Sequence, residues 1–113
     1  MASASHPPAP HLSAVAAATA GGRRAELALA GDLDLGTVRE FEERLDDPLL
    51  RRADEWVVDL SGVTRLDLSC AYALLRAATQ RPAIARLTVR GAGRTAQRTL
   101  RHAGLDTIAL IEE

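Results

Sequence analysis

At 113 residues, with 47% hydrophobic and 26% charged content, the chain has the composition of one globular domain around a single modest core. Fourteen cationic residues, every one an arginine, stand against fifteen Asp and Glu, and the formal net charge of −1 gives no overall field that would favour nucleic acid or an anionic membrane. The one cysteine, Cys70, excludes an internal disulfide and supplies too few soft ligands for a structural zinc site, and no apolar run approaches the roughly 20 residues that span a bilayer as a helix.

Residues 1–10 carry Pro7, Pro8 and Pro10 among small polar residues and read as a disordered tail, leaving residues 11–113 as the domain. Leu12–Ala20 is apolar and ends in Ala18-Thr19-Ala20, like an export signal. No Lys or Arg precedes it and its alanines are weakly apolar, so a first strand in a cytoplasmic protein is the expectation. Ala25–Ala30 alternates larger Leu27 and Leu29 with smaller residues, and Gly31 marks a turn. Thr37-Val38-Arg39-Glu40 is a capping-box pattern, with Val38, Phe41 and Leu45 on one helical face and Asp46-Asp47-Pro48 as the stop.

Trp56–Leu60 is β-rich and nearly all apolar, which predicts a central strand buried on both faces with Trp56 in the core. From Ser69 to Thr79 apolar residues recur every three or four positions, predicting a helix closed by Arg81-Pro82. Ile84–Val89 reads as a strand, Gly91-Ala92-Gly93 as a turn, Thr95–Ala103 as a helix ended by Gly104, and Thr107–Ile111 as a last strand. This alternation predicts an α/β sheet with helices packed on it.

The chemistry of several enzyme classes is missing. Without lysine there is no phosphate-binding loop of the Walker kind, and Gly91-Ala92-Gly93 lacks the third glycine and the acidic partner of a dinucleotide fingerprint. His6, His11 and His102 are not spaced for a metal site, and His102 suits the C-terminal end of a helix. Ser61 or Ser69 could be drawn into a triad with His102, yet the Gly-x-Ser-x-Gly elbow is absent. Arg94, Arg98 and Arg101 share a helix face that reads as solvated, with no aromatic residues interleaved for base stacking. No catalysis, cofactor, metal or nucleic acid is expected.

The specific signal lies in Val57-Val58-Asp59-Leu60-Ser61-Gly62-Val63-Thr64-Arg65-Leu66-Asp67, followed by Leu68-Ser69-Cys70-Ala71-Tyr72-Ala73-Leu74-Leu75. It resembles the STAS domain of anti-sigma-factor antagonists, with its Asp-Leu-Ser-Gly-Val turn and its Asp-Ser-Ser-Gly at a helix start. Gly31-Asp32-Leu33-Asp34-Leu35 before Thr37 is similar to the family's Gly-Glu-Leu-Asp turn, and Ala103-Gly104-Leu105-Asp106 to its closing Thr-Gly-Leu segment. The resemblance covers about residues 25 to 111. It implies a four- to five-stranded mixed sheet with three to four helices mainly on one face. It also implies partner switching, in which the antagonist binds a kinase-type anti-sigma factor until phosphorylation of the first serine breaks the complex.

Aligned without a gap, Leu68 takes the phosphoacceptor place, Ser69 the second serine and Cys70 the glycine. Leucine cannot carry phosphate, so the resemblance implies a binder that stays unphosphorylated there, with Ser69 as the competing acceptor in a register shifted by one residue. The partner surface it implies comprises Asp32, Leu33, Asp34, Asp67, Leu68, Ser69, Cys70 and Tyr72. Asp67 and Ser69 also suit helix capping, and Cys70 is either a small packed thiol or a thiol activated at a helix start. STAS subunits without a phosphorylatable serine also brace the ATPase of lipid-transport complexes, which is the alternative.

Overall fold

The computed structural model describes residues 11–19 and 22–112, so the expected tail at 1–10 lies outside the described residues. The chain runs β1 (His11–Thr19), β2 (Gly22–Leu33), α1 (Val38–Leu45), α2 (Pro48–Arg52), β3 (Glu55–Leu66), α3 (Leu68–Thr79), β4 (Arg86–Arg90), α4 (Arg94–His102) and β5 (Ala109–Ile111). The strands lie side by side in sequence order in one sheet. β2 to β5 are parallel, and β1 joins the edge antiparallel to β2. The class is α/β, as the alternation predicted.

Strand register explains where the core sits. Ala25, Trp56 and Leu87 occupy one cross-strand row and Leu27, Val58 and Val89 another, all buried. Because side chains alternate across a sheet, these rows share one face, where Phe41, Leu45, Leu50, Leu74 and Leu100 of the four helices complete a single core. The intervening row Glu26, Val57 and Thr88 lies on the opposite face. β3 is central as expected, but it is covered by helices on one face only. Of its residues on the other face, Val57 is 4% exposed while Glu55 and Asp59 are half-buried. Charged neighbours such as Glu26 and Arg24 can screen a valine with their aliphatic stems, so an apolar run did not require a second layer of helices.

Three local expectations are corrected and a fourth, the stop at Asp46-Asp47-Pro48, is met and extended. Thr37 forms no capping box with Glu40. Instead Asp34 caps a 3-10 turn over Leu35–Thr37, its Oδ1 accepting from Thr37 N at 3.1 Å, while Thr37 Oγ1 donates to Asp34 O. Pro48 ends α1 and also opens α2, because proline has no N–H to lose in a first turn; the Asp47 carboxylate caps that turn through Leu49 N at 2.8 Å. Neither Gly31 nor the Asp59–Val63 segment is a turn, since β2 runs through Gly31 to Leu33 with Gly31 paired to Val63, and β3 continues beside it to Leu66. Gly62 permits that pairing. A Cβ there would stand 2.9 Å from Ala30 Cβ, and the register shifts between Ala28 and Ala30 to pass it.

The short α2 is held by the core. Trp56 Nε1 donates to Leu50 O at 2.9 Å, and Arg81 donates to the carbonyls of Leu50, Arg51 and Ala53 while its guanidinium stands 5.7 Å from the Trp56 ring centroid. These bonds satisfy carbonyls that a helix end leaves without partners. The last helix ends as expected at Gly104, which adopts the left-handed φ of +88°.

Candidate protein-docking site

Parallel β2 and β3 end together, and the chain after each begins the same surface. Asp67 N donates to Leu33 O at 2.8 Å and Cys70 Sγ approaches Asp34 O at 3.6 Å, so the Asp32–Leu35 segment lies against the start of α3. Asp32 pairs with Arg65 at 3.3 Å on the rim.

Asp67 is the N-cap of α3. Its Oδ2 accepts from Ser69 N at 2.9 Å and also from the Ser69 hydroxyl. These two bonds, hydroxyl first, hold the Asp67 carboxyl below the usual aspartate range. Ser69 is therefore committed to the cap within its own turn. Its hydroxyl serves the carboxylate and no histidine, so the triad drawn through Ser69 is not assembled.

Leu68 is the first residue of α3 and is 39% exposed. Tyr72, one turn on, is 40% exposed, and Leu35 in the adjoining 3-10 turn is 67% exposed. Large apolar side chains thus stand in water where two carboxylates, Asp34 and Asp67, are fixed by capping. An apolar centre with a polar rim is the anatomy of a protein interface.

Two of the expected surface residues are not on the surface. Leu33 and Cys70 are both 0% exposed and belong to the core, because Leu33 is the inward residue at the end of β2 and Cys70 lies on the inner side of α3. Burial pushes the Cys70 thiol up from its ordinary value and overrides the hydrogen bonds that act the other way. It is a packed thiol rather than an activated one. The residue that sequence reasoning left out of the surface is Leu35. The sequence pattern hides it: Leu35 lies three residues before Val38, in phase with the apolar face of α1, and is exposed because Leu35–Thr37 forms a separate 3-10 turn rather than a first turn of that helix.

A separate groove of about 860 Å³ lies between α1, α2 and α3 over Trp56. Three of the four arginines lining it are engaged, Arg76 with Glu42 at 3.0 Å, Arg51 with Asp46 at 3.7 Å and Arg81 with the end of α2. Among the described residues no group of three His, Cys, Asp or Glu side chains is arranged to hold a metal ion, and no helix is long and apolar enough to cross a membrane.

Comparison with known proteins follows this architecture. No curated protein matches the chain. Among solved structures, an anti-sigma factor antagonist from Mycobacterium paratuberculosis superposes with a TM-score of 0.70 at 18% identity, over 89% of this chain and 85% of that one. SpoIIAA, an anti-sigma factor antagonist in its unphosphorylated form, gives 0.60 at 14% identity, over 93% and 89%. A STAS-domain antisigma-factor antagonist from Rhodobacter sphaeroides gives 0.53 at 24% identity, over 74% and 94%. These likenesses establish a shared fold. The family model described as "Mlab, STAS domain" matches residues 16–112, nearly the whole of the described domain, and the chain therefore belongs to the STAS domain family.

Proposed function

We propose that this chain is a protein-binding regulator of the anti-sigma-factor-antagonist kind, working in the cytoplasm without phosphorylation at the usual position. The observation that carries the reading is Leu68, an exposed leucine at the first position of α3, flanked by exposed Leu35 and Tyr72. A phosphoserine there would add about −1.5 to −2 charge at the centre of a docking surface and repel carboxylates or jam a close contact. With leucine the centre is permanently apolar, so the surface is always in its binding form. Ser69 is the competing acceptor. Its bond to Asp67 argues against it, because a phosphate on Ser69 would lose that bond and face the carboxylate.

The partner fitting this reading is a kinase-type anti-sigma factor. The second reading is a STAS subunit that braces the ATPase of a lipid-transport complex, which the same residue favours, since a structural brace needs no acceptor serine.

Affinity capture from the native cytoplasm with wild type and Leu68→Asp distinguishes the two by the identity of what is lost. A kinase-like anti-sigma factor held by wild type and released by the variant supports partner switching. A transport ATPase in its place establishes the second reading, and a partner indifferent to Leu68 overturns both.

A further inference from the structure

The docking surface continues beyond the start of α3. Leu68, Tyr72 and partly buried Leu75 follow an i, i+4, i+7 pattern, as do Arg94, Arg98 and Arg101 on α4. At 3.6 residues per turn, each triplet falls within about 60° of the helix circumference and extends for about 10 Å. Leu74 and Leu100 are buried about 130° round from the centres of these stripes, so Leu68, Tyr72 and the arginines face away from the sheet while Leu75 packs partly against the core. α3 and α4 follow adjacent parallel strands, pack against each other and run in the same direction, and packed helices lie about 8–10 Å apart. The apolar stripe therefore has a basic stripe beside it.

The two borders of the apolar stripe differ in charge. Toward α1, Arg76 is neutralised by Glu42 at 3.0 Å. Toward α4, the three arginines are exposed, form no ion pair among the described residues, and have no acidic residue in their helix. At the top of the stripe stand the carboxylates of Asp34 and Asp67.

We propose that the Leu68–Tyr72–Leu75 stripe and the Arg94–Arg98–Arg101 stripe form one composite docking surface for an amphipathic helix of the partner protein. That helix carries an apolar face, an acidic edge laid over α4, and a basic residue at the end that meets Asp34 and Asp67. The assignment rests on the protein-binding reading above and adds the partner's chemistry to it. Charge complementarity selects a protein helix over a polyanion. A lipid surface or nucleic-acid backbone would bring phosphates against Asp34 and Asp67 as well as against the arginines. Leu68 and Tyr72, each about two-fifths exposed, also form a low ridge suited to a facing helix rather than a wedge for a bilayer.

The test uses fluorescence anisotropy with labelled synthetic helical peptides. One has a leucine stripe with glutamate edges, one the same stripe with lysine edges, and one the glutamates with alanine in place of leucine. Wild-type protein is expected to bind the leucine–glutamate peptide about tenfold more tightly than the lysine-edged one, since three exposed charge pairs together give about a factor of ten, and more tightly than the leucine-free one, which loses the apolar contact. Arg94→Glu/Arg98→Glu/Arg101→Glu should reverse the preference between glutamate and lysine edges, while the milder Arg94→Gln/Arg98→Gln/Arg101→Gln should remove it. Both variants are checked for an unchanged circular dichroism spectrum, and Leu68→Asp should abolish binding of every peptide.

The proposal is overturned if wild type binds none of the peptides, if the leucine-free peptide binds equally, or if the arginine variants keep the wild-type preference. It is equally overturned if vesicles containing anionic lipid sediment wild type but not the arginine variants. A native partner lost with Leu68→Asp but kept by the arginine variants would remove only the α4 assignment. A native partner kept by both would remove the protein-binding reading itself.

Discussion

Replacing Leu68 by aspartate should separate binding from folding. At 39% exposure the side chain is already largely covered by its own domain. Burying a whole leucine is worth about 1.5–3 kcal/mol, so losing this partial burial costs about 1–2 kcal/mol. A carboxylate in the first turn of a helix returns about 0.3–1 kcal/mol, less what the nearby Asp67 and Asp34 charges cancel. The net loss of about 1 kcal/mol corresponds to a fall in Tm of about 4–8 °C for a domain of this size. At an interface centre the same change removes an apolar anchor and buries an unpaired charge, costing about 2–4 kcal/mol, or a factor of about 30 to 1,000 in Kd. Thermal unfolding followed by circular dichroism gives the first quantity, and calorimetric titration with the captured partner gives the second. A Tm lowered by more than about 15 °C, or a Kd changed less than about threefold, would refute the placing of Leu68 at a docking centre.

Trp56→Phe should lower Tm by about 10–15 °C, because it removes the indole bond to Leu50 O and leaves a void over α2; an unchanged Tm would show that Arg81 alone holds that helix. The Asp67 carboxyl is depressed in the folded state, so its contribution to stability is present above the ordinary value of 3.8 and is lost as pH falls through the lower folded value. Urea midpoints should therefore drop below about pH 4 by less in Asp67→Asn than in wild type, and equal drops would exclude the cap as a source of acid sensitivity. Cys70, buried and with its thiol pushed up, should resist Ellman's reagent in native protein and titrate as one thiol in urea; rapid native labelling would place it on an accessible surface.

Much of this molecule was legible in one dimension. The alternation of strand-like and helix-like segments gave the α/β class, the apolar run Trp56–Leu60 gave the central strand, and the three- and four-residue spacing from Ser69 to Thr79 gave α3, because these patterns are local properties of the chain. The Asp67 cap and the left-handed Gly104 are local in the same sense and appeared where residue type placed them.

What was misread depended on contacts between distant segments. The capping box lost Thr37 to Asp34, whose position follows from the end of β2. The expected turn after Asp59 became strand because β2 runs alongside it and Gly62 lets Ala30 approach. α2 is too short to announce itself by period and exists where Trp56 and Arg81 receive its carbonyls. At the proposed docking site the sequence determined Leu68, the residue that stands where the resemblance places a phosphoacceptor serine. Which neighbours share its surface was decided by packing: Leu33 and Cys70 turn inward, Leu35 and Tyr72 stay out, and the arginines of α4 come alongside because α3 and α4 follow neighbouring parallel strands. Residue chemistry is carried by the chain itself, whereas exposure and adjacency belong to the sheet that brings its segments together.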